Sequence, residues 1–148
     1  MASIGPNIPK SFRAAATVSA YRAVSPDTAL SDTFIRLIQL PTETSHILGI
    51  AQDSATTDQA CPVVSFGYGK GAAGASVSAG ALLTAVTVTG YLIEATALGN
   101  TGAPVTTTFS TAGSIRVKEV GLALQTGSLT DAAIEVFVQI SNMRLRIV

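Results

Sequence analysis

The chain has 148 residues, nine Lys or Arg against nine Asp or Glu, and a formal net charge of zero, so its total charge offers nothing to a nucleic-acid backbone. Charged residues make up 12% of it, about half of the roughly 25% usual in soluble domains, and 47% is hydrophobic, which suits one domain that hides part of its surface against protein. Cys61 is the single cysteine, which excludes an intramolecular disulfide and, with no signal-peptide pattern at the N-terminus, points to synthesis in the cytoplasm.

Residues 1–25 contain Pro6 and Pro9, with Pro26 just beyond, and few large apolar side chains. They read as an extended arm, with the β domain proper expected over 26–148. The piece RAAATVSAYRA has the propensity for two or three helical turns, which are marginal without packing. Lys10, Arg13 and Arg22 are the only charges of the arm, and Phe12 and Tyr21 lie among them. That cluster is too sparse for a single-stranded nucleic-acid platform. Its residue types are those that anchor protein interfaces, so Lys10, Phe12, Arg13, Tyr21 and Arg22 are the candidate contacts to a neighbouring subunit.

Residues 33–40, TFIRLIQL, alternate as a strand that Pro41 stops. HILGIAQ, residues 46–52, and PVVSFG, residues 62–67, form a candidate hairpin across the polar loop DSATTDQ, and Gly49 inside the first strand marks a bulge or a close backbone approach. Residues 67–74 are expected as a glycine-rich turn. SVSAGALLTAVTVTGYLIEAT then reads as strand segments broken at Ala79-Gly80 and Thr89-Gly90. Residues 98–113 form a polar linker whose Thr and Val would permit an edge strand. SIRVKEVGLALQ and AAIEVFVQIS are the clearest strands, and NMRLRIV continues in the same alternation. One wet face per strand implies antiparallel pairing. The expected fold is therefore all-β, a small antiparallel β-barrel or sandwich with an extended N-terminal arm.

A short internal echo is also present. Gly49-Ile50-Ala51 leads to Val63, and Gly121-Leu122-Ala123 leads to Val136, with separations of 14 and 15 residues. It is either coincidence in a glycine-rich β protein or a pair of related hairpins closing one barrel.

Little in the chain can do chemistry. His46 and Cys61 are one of each kind, short of the four ligands of structural zinc and the three of catalytic zinc, and no motif activates a Cys nucleophile. Asp27, Asp32, Asp53, Asp58 and Asp131 lie beside Ser/Thr turns, where Asp serves the backbone and not a glycosidase pair. Gly69-Lys70-Gly71-Ala72-Ala73-Gly74 matches G-x-G-x-x-G, with Glu94 beyond it, but the helix that would hold a pyrophosphate does not follow. Gly71 to Ile93 is a run of 23 uncharged residues, long enough to cross a bilayer, yet its Gly, Ser and Thr content and the Val86/Val88 against Thr87/Thr89 alternation are those of strands. Neither an enzyme, a cofactor, a metal site nor a membrane span is expected.

The central block resembles the capsid cement, or head decoration, proteins of tailed bacteriophages. The features that carry the resemblance are the "G-hydrophobic-A" strand Gly49–Ala51, the strand 62–67 ending at glycine, the element Ala73–Gly80, and the strand Gly90–Ala95. Gly121–Ala123 with Ile134–Val138 is similar to the family's closing portion. Ala81 stands where the family carries an acidic residue, and Asp58-Gln59 where Gly-Glu is usual. The resemblance implies a non-enzymatic all-β virion protein that binds the outside of the head, contacts the major capsid protein, and self-associates as a trimer or a dimer. A tail-tube or baseplate β-protein and a small-ligand-binding β-barrel remain as alternatives.

Overall fold

A computed structural model describes residues 10–28, 35–39, 46–86, 88–95, 114–128 and 130–146. Within them the chain is all-β. The strands are β1 (Lys10–Ala14), β2 (Ala23–Pro26), β3 (Arg36–Gln39), β4 (Gly49–Ala51), β5 (Ala60–Val64), β6 (Phe66–Ala72), β7 (Leu82–Ala85), β8 (Leu92–Glu94), β9 (Ser114–Ala123) and β10 (Ala133–Arg146). The first five close into a barrel in the order β1-β3-β2-β4-β5, and the last five form a sheet in the order β6-β10-β9-β7-β8. Ser65 alone separates β5 from β6, so the barrel runs directly into the second sheet.

The two sheets are the same structure built twice. If β1 to β5 are matched in order with β6 to β10, both orders read third, second, fourth, fifth, first. The first barrel is closed by parallel pairing of β1 with β3 at Arg13↔Arg36 and Ala14↔Leu37. The second has a parallel bridge, Ala73↔Leu92, at the matching place. Turn hydrogen bonds repeat as well. The Ala14 N–H donates to the Gln59 carbonyl as Ala73 does to Ala132, and the Asp58 and Asp131 N–H groups donate to the carbonyls of Ala14 and Ala73. Val18 and Ala55 exchange a reciprocal pair, as do Val77 and Gly127. Asp58 and Asp131 both sit at positive φ, 66° and 71°, a conformation that Asp tolerates better than most residues.

The echo seen in the sequence is the signature of this repetition. Gly49 and Gly121 hold matching places in β4 and β9, and pair with Val24 and Leu83 of β2 and β7. A Cβ on Gly49 would meet the Val64 carbonyl oxygen at 2.5 Å, and one on Gly121 would collide with the carbonyl oxygen of Phe137. Val64 and Phe137 are themselves matching residues, paired with Ile50 and Leu122. Glycine is required twice because the same backbone crosses the same neighbour twice.

Small side chains fill the first barrel. Ala14, Val18, Val24, Leu37, Ala51, Ala55, Cys61 and Val63 form one cluster, with Phe12 and Leu48 packed against it. A five-stranded barrel is narrow, and Ala and Val fit where larger residues would not.

Several expectations change. Lys10–Pro26, expected to belong to an arm, forms β1 and β2 of the closed barrel, and the boundary at residue 25 falls inside β2. Scarcity of large apolar residues was the ground for the arm, whereas Ala14, Val18 and Val24 are fully buried for that very smallness. Residues 1–9 lie outside the described residues. The expected strand over 62–67 ends at Val64, because Ser65 is the junction between the barrel and the second sheet. Residues 67–74, expected as a turn, run as strand through Ala72. Their glycines admit neighbours instead: a Cβ on Gly71 would strike the Leu92 side chain. Pairing is mostly antiparallel, but each half has one parallel contact. The linker expected over 98–113 also lies outside the described residues.

Gly49→Ala and Gly121→Ala should each lower unfolding free energy by about 2 kcal/mol or more in denaturant titrations. An alanine scan of exposed Thr56 and Ser128 should stay within about 0.5 kcal/mol.

Candidate functional site

Two surfaces stand out, one closed within the chain and one open. The closed one is the junction between the halves. On the outside of the first barrel, Ala23 pairs with Ile50 and Ile50 with Val64, so the three form a row across β2, β4 and β5. They are 0%, 0% and 5% exposed, and share one core cluster with Ala73, Val77, Leu83, Leu92, Val136 and Val138 of the second half. The Ala23 N–H donates to the Gly90 carbonyl and the Ala72 N–H to the Tyr21 carbonyl, both at 2.8 Å. The Gln52 side chain acts like a strand neighbour toward Lys70: its Nε2 donates to the Lys70 carbonyl at 3.1 Å, and its Oε1 accepts from the Lys70 N–H at 3.0 Å.

Arg22 locks this junction. It is 9% exposed, and its guanidinium carbon lies 3.2 Å from the centroid of the Tyr91 ring. Nη1 donates to the Thr89 carbonyl at 3.2 Å, and Nη2 to Asp131 Oδ1 at 2.9 Å. A planar guanidinium can stack and donate in its own plane at once, which an ammonium cannot.

The five candidate contact residues therefore lie in different settings. Lys10 and Arg13 are exposed on β1, Phe12 is half-buried against the first core, and Tyr21 is half-buried at a turn with φ of 63°. Arg22 is buried and held by the second half. His46 is exposed, while Cys61 is buried in β5 with its Sγ 3.8 Å from the Asp53 carbonyl oxygen. Burial pushes the Cys61 thiol pKa up, and the Asp53 carboxylate adds to this. No group of three or more His, Cys, Asp or Glu among the described residues is placed to hold a metal. Gly69–Ala72 is strand, so the G-x-G-x-x-G does not open a helix that could receive a phosphate. The uncharged run Gly71 to Ile93 passes from β6 through β7 into β8, and no helix among the described residues is long and apolar enough to cross a membrane.

The open surface is an apolar face on the second half, which residue-type reasoning did not single out. Tyr68 pairs with Phe137, Phe137 with Leu122, and Leu122 with Leu82, so one row crosses β6, β10, β9 and β7. Leu82 is 52% exposed, Tyr68 44% and Leu122 36%, and Phe66 and Leu124 beside them are exposed too. Phe137 is the hub, with edge contacts to Phe66 at 5.6 Å and Tyr68 at 5.4 Å between centroids. The available signal was a reversed size pattern: Gly67, Gly121 and Ala123 point inward and Phe66, Tyr68, Leu122 and Leu124 outward. Ordinary half-buried strands put the large residues inside.

No family model matches the chain, and no curated protein matches it. Among solved structures, it is similar to the N base of the head fiber gp8.5 of bacteriophage phi29, with a TM-score of 0.58 and 17% sequence identity over 92% of this chain and 97% of that one. At that identity the likeness is one of fold. The chain is thus an all-β protein that shares the architecture of a phage head-fiber base nearly from end to end.

Arg22→Ala should cost about 2–3 kcal/mol in unfolding free energy, and Arg22→Lys less but still more than about 1 kcal/mol, since lysine keeps the charge and loses the stacked fork. The Cys61 thiol should stay unreactive to a disulfide reagent at pH 8 until denaturant is added. Because its folded pKa lies above the ordinary 9.0, its contribution to stability is whole below that value and is lost as pH rises past it, so melting temperature should fall on alkaline titration above about pH 9.

Proposed function

We propose that this chain is a structural protein of a tailed-bacteriophage head, attached to the outside of the shell as a cement or decoration protein and acting on the major capsid protein without catalysis. The observation that carries the reading is the two-sheet architecture shared, over nearly the whole of both chains, with a phage head-fiber base. Low charge content, absence of a metal or nucleophile constellation among the described residues, and an exposed apolar face all suit a protein whose work is contact. The first barrel's interior is packed with its own side chains, which leaves a small ligand no space there. Self-association as a homo-oligomer belongs to the same reading, a trimer being the form that fits three-fold junctions of an icosahedral shell. Many weak contacts repeated over such a shell hold through avidity.

Lys10 and Arg13 are the remaining exposed charges of the five candidate contacts, and in this reading they face the capsid. Co-sedimentation with purified heads that lack the protein should show saturable binding. Lys10→Glu with Arg13→Glu should weaken it roughly tenfold while the melting temperature stays put. Binding to purified tails and not to heads would place the protein in the tail and overturn the assignment.

A further inference from the structure

Because the two halves repeat one scaffold, each surface of the first barrel has a counterpart on the second. The row Ala23, Ile50, Val64 corresponds to Leu82, Leu122, Phe137: the pairings Ala23↔Ile50↔Val64 and Leu82↔Leu122↔Phe137 join matching strands in matching register. In the first barrel this row is dry because a sheet of the same strand order sits on it. In the second it is open, with Leu82 and Leu122 at 52% and 36% exposure.

The differences between the rows have a direction. Ala23 becomes Leu82, Ile50 becomes Leu122, and Val64 becomes Phe137. The polar Gln52 and the charged Arg22, which bind the first row to its cover, become Leu124 and Ala81. The open face is thus larger and more apolar than the closed one, and Phe66 and Tyr68 extend it. A contiguous apolar face of this kind seldom stays wet on a monomer.

We propose that this face is where copies of the chain associate, the row from Tyr68 to Leu82 lying against the same row of a neighbouring copy about a rotation axis. A cover of this same fold already fits the matching row inside the chain, and a net charge of zero sets no repulsion between copies. Head-to-tail stacking, which would reuse the internal junction between chains, is disfavoured by what the first barrel presents. The junction uses Ala72 of β6, and the matching position on β1 is the exposed Arg13. An isologous or cyclic contact closes instead of growing into a filament. The inference rests on the homo-oligomer part of the proposed function and not on head attachment.

The test is the mass of the full-length protein by analytical ultracentrifugation, for the wild type and for Leu122→Glu and Leu82→Lys, both at exposed positions that folding tolerates. The wild type should be an integral multiple of the 15.0 kDa chain, and each variant should shift to the single-chain mass with unchanged circular dichroism, losing only the concentration dependence of the melting temperature that association gives the wild type. If the row meets itself, a mixture of Leu122→Glu and Leu122→Lys should recover the assembled mass that neither forms alone. A monomeric wild type overturns the oligomer reading and this inference together. A wild-type oligomer whose mass survives both substitutions overturns the inference alone. Variants that keep the oligomer but lose head binding would assign the face to the capsid and overturn it as well.

Discussion

The burial of Ala23, Ile50 and Val64 beneath the second half is the contact on which the rest of the structure depends. The first half is a set of short strands around a narrow interior, and a barrel of this size has little apolar area with which to stabilise itself alone. By sharing one cluster across both halves, the chain ties the barrel and the second sheet together beside the barrel's own interior cluster. The cost is that a polar seam must be satisfied at the edge of that core. Backbone bonds from Ala23 and Ala72, the paired bonds of Gln52, and the guanidinium of Arg22 meet this requirement.

The repetition explains residues that look arbitrary when taken singly. Gly49 and Gly121 are the same crossing, and Asp58 and Asp131 are the same positive-φ turn. Asp131 takes on a second task, since its carboxylate receives Arg22 from the other half. Its counterpart Asp58 pairs with Arg36 inside the first barrel. A repeated scaffold with divergent side chains is how one small fold supplies both a closed junction and an open face.

The side chains with most chemical potential, Cys61 and Arg22, are committed to a core and a junction. Among the described residues, a wide apolar face lies outward on the second half, and Lys10 and Arg13 lie outward on β1 of the first. The proposed function assigns these two places to contact with protein.

By itself the sequence determined the all-β class and most strand positions. Period-two alternation, prolines and glycines act locally. The short echo at Gly49 and Gly121 also held the trace of the repeat. Only the tertiary structure decided that Lys10–Pro26 is barrel and not arm, that residues 67–72 are strand and not turn, and that Arg22 is an internal lock. In each case the deciding neighbour is remote in the chain: Leu37 and Cys61 for β1, Leu92 for Gly71, Tyr91 and Asp131 for Arg22. Residue size and charge say what a position can tolerate, and only the fold brings the partner that makes an alanine a core residue or leaves a leucine in water.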